Sequence, residues 1–117
     1  MALSMNKELT AASATPLVLS ILASGDSYGY AIIKRVKELS GGSLEWTEGM
    51  LYPVLHRLDE QAWVESYWDG EEGGRRRKYY RVTGAGREGL ASLVDQWKAV
   101  DAALTASFEE GGNHVRA

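Results

Sequence analysis

Residues 73–83 read Gly-Gly-Arg-Arg-Arg-Lys-Tyr-Tyr-Arg-Val-Thr, five cations and no anion inside a chain whose net charge is −3. The glycine pair permits a tight reversal, and the aromatic and β-branched residues after it favour extended backbone. Upstream, Trp63-Val64-Glu65-Ser66-Tyr67-Trp68 has the same strand-forming content, and Asp69-Gly70-Glu71-Glu72-Gly73-Gly74 separates the two runs. The segment predicts a β-hairpin with strands near 63–68 and 78–82. Tyr80 and Val82 alternate onto one face and read as core, while Tyr79 fits either a core or a contact role. Because the anions precede the glycines and the cations follow them, the tip is lopsided in charge. That asymmetry favours contact with a polyanion through Gly74, Arg75, Arg76, Arg77 and Lys78 over a merely solvated loop.

The rest of the chain reads as helices. Thr15-Pro16 looks like an N-cap followed by proline at the first helical position, opening a helix that stops at Gly25; the alternative is one helix from about Lys7, kinked at Pro16. Asp26 or Ser27 is placed to cap a second helix, Tyr28 to Leu39, with Ile32, Ile33, Val36 and Leu39 at helical spacing and Lys34, Arg35 and Lys37 facing outward. Leu44-Glu45-Trp46 has length for a single β-bridge. Thr47 then caps a third helix, with Glu48 favourable in its first turn and Met50 where a full capping box needs Glu. Leu51, Val54, Leu55 and Leu58 form its buried stripe, leaving Gly49, Tyr52, Pro53, His56 and Glu60 opposite. Tyr52 and His56 lie one turn apart and Arg57 follows, a set able to bond phosphates and base edges; the segment's own anions mean that attraction must come from the hairpin and from Lys34, Arg35 and Lys37.

A final helix is expected over about 84–109, with Leu90, Leu93, Val94, Trp97, Val100, Leu104 and Phe108 three and four residues apart. About 26 residues of helix span about 39 Å, more than a small three-helix core covers. The economical cover for its outer half is a second copy of the chain. On a twofold axis Trp97 would approach its copy, and two indoles can sandwich a planar aromatic molecule, with Leu93 beside them and Asp101 one turn on to neutralise a cationic one. An ordinary dimer-core tryptophan is the competing account. Trp46, Trp63 and Trp68 are expected to pack the small sheet, and residues 111–117 to form a frayed tail.

Composition narrows the function classes. At 117 residues there is one core, and 25% charged with 44% hydrophobic residues is a globular balance. No apolar run approaches the ~18 residues of a membrane span. The absence of cysteine removes disulfides, thiolate metal sites and a cysteine nucleophile. No signal-peptide pattern opens the chain, so a cytoplasmic location is the default expectation. The two histidines, His56 and His114, lie far apart, so no triad or metal trio is expected. Gly84-x-Gly86-x-x-Gly89 matches a dinucleotide fingerprint in letters only, because no βαβ unit surrounds it. No enzyme, cofactor or metal is expected.

The order of elements resembles the PadR family of bacterial transcriptional regulators over about residues 15–108. The resemblance is carried by Tyr28-Gly29-Tyr30, Gly49-x-Leu51-Tyr52-Pro53, Arg57-Leu58, Arg77-Lys78-Tyr79-Tyr80 and Thr83-x-x-Gly86-Arg87. The single C-terminal helix is similar to the compact branch, some of whose members bind flat aromatic drugs between paired tryptophans. Two departures stand out: Ala62 where the family usually has Gly, and Pro16 within the first helix. The resemblance implies an α+β, mainly α, winged helix-turn-helix: a DNA-binding domain over 1–83 and a C-terminal dimerisation helix and tail over 84–117. The expected function is a homodimeric repressor on a pseudo-palindromic double-stranded operator, released by a planar aromatic effector. Its expected DNA contacts are Lys34, Thr47, Tyr52, His56, Arg57, Gly74, Arg75, Arg76, Arg77 and Lys78, and its ligand contacts Leu93, Trp97 and Asp101. The alternative is a winged-helix protein-interaction module that binds no DNA.

Overall fold

The computed structural model describes residues 5–70, 74 and 76–115, with residues 112–115 described by backbone alone. Helix α1 spans Lys7–Ala23, strand β1 Ser27–Tyr28, helix α2 Gly29–Leu39, helix α3 Glu48–Glu60, strand β2 Val64–Asp69, strand β3 Arg77–Val82 and helix α4 Gly84–Val115. Helices α1, α2 and α3 enclose one core, in which Val18, Leu19, Leu22, Ile32, Val36, Leu51, Leu55 and Leu58 are sealed from solvent. The hairpin β2–β3 closes one side of it through Val64, Tyr80 and Val82.

Helix α1 takes the longer of its two expected paths. It is capped by Asn6, whose Oδ1 accepts from the Leu9 N–H at 2.8 Å, and it runs through Pro16. Proline removes one backbone donor at this point, and Ala14, Val18, Leu19 and Leu22 are all buried, so packing on both sides of Pro16 offsets the lost bond. Thr15 caps nothing; its Oγ1 accepts from Arg57 of α3 at 3.0 Å.

The next turn also differs from expectation. Neither Asp26 nor Ser27 caps α2; the N-cap is Tyr28 in extended backbone without a side-chain bond. Ser27 and Tyr28 instead pair with Tyr80 and Tyr79, which makes the sheet three-stranded in the order β1-β3-β2, antiparallel throughout. Leu44-Glu45-Trp46 forms no bridge; Leu44 and Trp46 drop into the helical core. Leu39 ends α2 exposed, outside the stripe of Ile32 and Val36.

Helix α3 has the expected cap and stripe. Thr47 Oγ1 accepts from the Met50 N–H at 3.2 Å, and Leu51, Val54, Leu55 and Leu58 are buried. It ends in a Schellman motif: the Trp63 N–H bonds the Leu58 carbonyl at 2.9 Å and the Ala62 N–H bonds the Asp59 carbonyl at 3.0 Å. The left-handed position is held by Ala62 at φ 60°.

Thr83 joins sheet to last helix. Its hydroxyl donates to the Ala62 carbonyl at 2.6 Å, and its Oγ1 accepts from the Gly86 N–H at 3.1 Å. Gly86 and Gly89 are spoken for by Trp63. A Cβ at Gly86 would run into the Trp63 carbonyl oxygen, and one at Gly89 would lie 2.5 to 2.7 Å from the indole ring. The fingerprint-like glycines are thus a seat for a tryptophan. Helix α4 continues past residue 109 to Val115, with non-helical backbone at Gly111. It leaves the body as an arm, giving principal extents of 63 × 32 × 21 Å.

Candidate nucleic-acid interface and the groove beside the long helix

The β2–β3 register explains what the hairpin presents. Val64 faces Val82, Ser66 faces Tyr80 and Trp68 faces Lys78. Period-two alternation therefore puts Trp68 and Lys78 on the same face as the core residues Val64, Tyr80 and Val82. The hairpin overshoots the core, however, so Trp68 is 58% exposed. Sequence reasoning placed Trp68 in the sheet packing; it hangs beyond the core's end. Trp63 lays its indole against Gly89 of α4 at the edge of the core, and Trp46 belongs to the helical core with its Nε1–H lacking an acceptor among the described residues.

The outer face of the same sheet is a ladder of rings and guanidiniums. Arg77 lies 4.7 Å from the Tyr28 ring, Tyr28 meets Tyr79 edge-on at 5.3 Å, Tyr79 stacks on Tyr67 at 5.8 Å, and Arg81 lies 4.8 Å from Tyr67. The Tyr67 hydroxyl donates to Asp26 Oδ2 at 2.6 Å. This bond to a carboxylate is the main reason the Tyr67 phenol is held above its ordinary pKa. Burial raises the Tyr80 phenol in the same direction, with smaller contributions from Tyr52 and Asp59. Tyr79, left between two roles by its position, is a half-buried rung of the ladder.

Between the hairpin, α3 and the start of α2 lies a cleft of about 540 Å³. Tyr30, Tyr52, Trp68, Arg76, Arg77 and Lys78 line it, and Glu48 is the one carboxylate among its described lining residues. Tyr52 reaches it because Gly29 makes room: a Cβ there would stand 2.5 Å from the Tyr52 hydroxyl. Three of the expected hairpin contacts therefore converge with Tyr52. Gly74 is exposed at the tip, and Arg75 lies outside the described residues.

Other expected contacts sit apart from the cleft. Thr47 is engaged as the α3 cap. His56 is exposed and its Nε2 lies 2.7 Å from Glu60. Arg57 turns to Thr15 on α1. Lys34 is exposed on α2, Arg35 lies 3.6 Å from Glu38, and Lys37 3.3 Å from Glu45. Tyr30 and Trp68 were not singled out as contacts from sequence. The signal for Tyr30 was its place in the Tyr28-Gly29-Tyr30 run; Trp68 left none, because its exposure depends on where the core ends.

A second, mostly apolar groove of about 590 Å³ runs between α1 and α4. Met5, Leu9, Pro16, Leu17, Val94 and Trp97 line it, with Lys98 and Asp101 also at its wall. Leu93 packs toward the core instead of the groove. Beyond the groove, Val100, Leu104 and Phe108 are each more than half exposed along the arm. Among the described residues no cluster of ligands could hold a metal ion, and no helix is long and apolar enough to cross a membrane.

Comparison with known proteins agrees with this architecture. The family model described as "Transcriptional regulator PadR-like family" matches residues 18–92. The chain is 33% identical over 84 residues to an uncharacterised protein of Lysinibacillus sphaericus, covering 72% of this chain and 77% of that protein. It is 31% identical over 90 residues to transcriptional regulator YqjI of Escherichia coli (strain K12), which is 77% of this chain but spans 42% of that regulator. A transcriptional regulator from Clostridium thermocellum superposes with a TM-score of 0.80 at 28% identity, covering 87% of this chain and 96% of that one. A PadR family transcription regulator from Clostridium difficile superposes at 0.72 with 32% identity, covering 80% and 96%. With more than half of its length matched and the winged-helix arrangement in place, the chain belongs to the PadR-like family of transcriptional regulators and is a DNA-binding regulator.

Proposed function

We propose that the protein is a homodimeric repressor that binds a pseudo-palindromic operator, its two α3 helices entering major grooves about one helical turn, ~34 Å, apart. The observation that carries this reading is the convergence of Arg76, Arg77 and Lys78 with Tyr52 and Tyr30 around one cleft between α3 and the hairpin, on a body of net charge −3. The hairpin cations, Arg75 included, contact phosphates or the minor groove and supply salt-dependent affinity. Thr47, Tyr52 and His56 face the major groove, while Lys34 and, on release from Thr15, Arg57 meet the flanking backbone.

Residues 1–83 carry DNA binding in this reading, and residues 84–117 carry dimerisation. The exposed stripe Val100, Leu104 and Phe108 supports a second copy as its cover. A planar aromatic effector would enter beside Trp97, with Asp101 offsetting a positive charge, and would change the spacing or mobility of the two readers through a coupling energy of about 1–3 kcal/mol.

A mobility-shift assay against DNA upstream of the protein's own coding region tests the reading, alongside the Leu104→Glu/Phe108→Glu variant. Losing roughly 2 kcal/mol of apolar burial per protomer, twice over by symmetry, weakens the dimer by about a thousandfold. The wild type is expected to shift the duplex as a dimer and the variant to elute as a monomer with little retained binding. A variant that binds the duplex as the wild type does overturns the dimer, and a wild type that leaves the duplex unshifted even at low salt overturns the reading in favour of an interaction module.

A further inference from the structure

Several aromatic rings exposed around one cleft form the kind of apolar patch that marks a binding surface. Trp68 is one of these rings, and its surroundings say what the cover must be. The Arg76 guanidinium lies 5.8 Å from its ring. Lys78 stands opposite it in the β-ladder. Tyr30, 66% exposed, and Tyr52 close the other side of the same cleft, and Glu48 is the only described anion there. An occupant must therefore offer negative charge to three cations and an apolar face to an indole, at a spacing of one side chain.

Resting on the DNA-binding reading, we infer that Trp68 is a direct nucleic-acid contact: its indole packs on the deoxyribose of the operator strand running between α3 and the hairpin, while Arg76 and Lys78 hold the flanking phosphates. A sugar-phosphate strand alternates anionic and apolar units, and the cleft sets cations beside an exposed ring. A helix of another protein would bring apolar side chains without the regular anions, and would leave the three cations unpaired. The indole contact neutralises no phosphate, so it releases no counterion. It adds affinity that salt does not screen, whereas each hairpin cation adds affinity that salt removes.

This separation supplies the test. Affinity for a duplex that the wild type binds is measured by fluorescence anisotropy over a range of salt for Trp68→Ala, Trp68→Phe and Arg76→Ala, with far-ultraviolet dichroism confirming that each variant is folded. Trp68→Ala is expected to bind about tenfold more weakly at every salt concentration, its log–log salt plot parallel to the wild type's; Trp68→Phe recovers most of the loss. Arg76→Ala is expected to flatten the slope by about one unit per contacted phosphate. In a Trp97→Phe background, where Trp46 is buried and Trp63 half-buried, indole emission should shift to the blue on adding duplex. Trp68→Ala affinity within twofold of wild type overturns the inference and leaves the DNA-binding reading standing. A flattened slope in Trp68→Ala overturns it as well, by showing that the indole only positions Arg76. If the wild type binds no duplex at low salt, reading and inference fall together.

Discussion

Ala62 is where a single residue and its backbone disagree most. The Schellman turn that ends α3 needs a left-handed residue, and Ala62 occupies it at φ 60°. A Cβ in that region costs about 1–2 kcal/mol, partly offset in glycine by the larger entropy it loses on folding. Ala62→Gly should therefore stabilise the protein by about 1 kcal/mol and raise the melting temperature by about 4 °C. A melt showing no rise would mean that the turn is not strained. The left-handed turn was legible in the sequence only through the family resemblance, which implies a glycine where Ala62 stands; nothing about Ala-Trp-Val announces it. Trp63 shows the complementary case. Its seat on Gly86 and Gly89 is a contact across more than twenty residues of chain, so the sequence could set those glycines aside as a dinucleotide fingerprint but could not say what they are for.

At the scale of elements, α3 and the hairpin were readable because their signals are local. Thr47, the three-four spacing of Leu51, Val54, Leu55 and Leu58, and the alternation of Tyr80 and Val82 each require only one period of one element. Strand β1 was not readable, since two residues become a strand only by pairing with Tyr79 and Tyr80 fifty positions away. The same pairing frees Asp26 from capping and commits it to Tyr67, which ties the hairpin to the α1–α2 turn. Because that bond raises the Tyr67 phenol above its ordinary 10.0, its contribution is complete below pH 10.0 and disappears as pH climbs through the raised value. Urea unfolding across this window should show a stability gap between wild type and Tyr67→Phe that is constant near neutrality and closes in alkali. Tyr80 titrates in both proteins, so the difference isolates Tyr67. A gap that stays open at high pH would show that Asp26 and Tyr67 do not hold the hairpin.

At the scale of the molecule, the arrangement separates two tasks. The hairpin, α2 and α3 carry cations and rings around a cleft, and α4 carries an apolar stripe that the protein's own core does not cover. Composition alone hid this, because 16 acidic residues against 13 basic ones describe a mildly acidic chain. The order of residues gathers Arg76, Arg77 and Lys78 in one run, and the fold sets that run beside Tyr30 and Tyr52. The length of α4 signalled an arm in the sequence, but the groove it shares with α1 depends on α1 running unbroken through Pro16, which the sequence left open. The claim on which the account rests is that these cations bind duplex DNA in a pair of protomers, and the salt dependence of anisotropy with a labelled operator duplex tests it most directly. For six to ten phosphates contacted by a dimer, affinity should fall about 10³–10⁵-fold between about 50 and 200 mM salt, and replacing Arg76, Arg77 and Lys78 by alanine should take away most of that slope. Binding that ignores salt, or a slope unchanged in the triple variant, would contradict it.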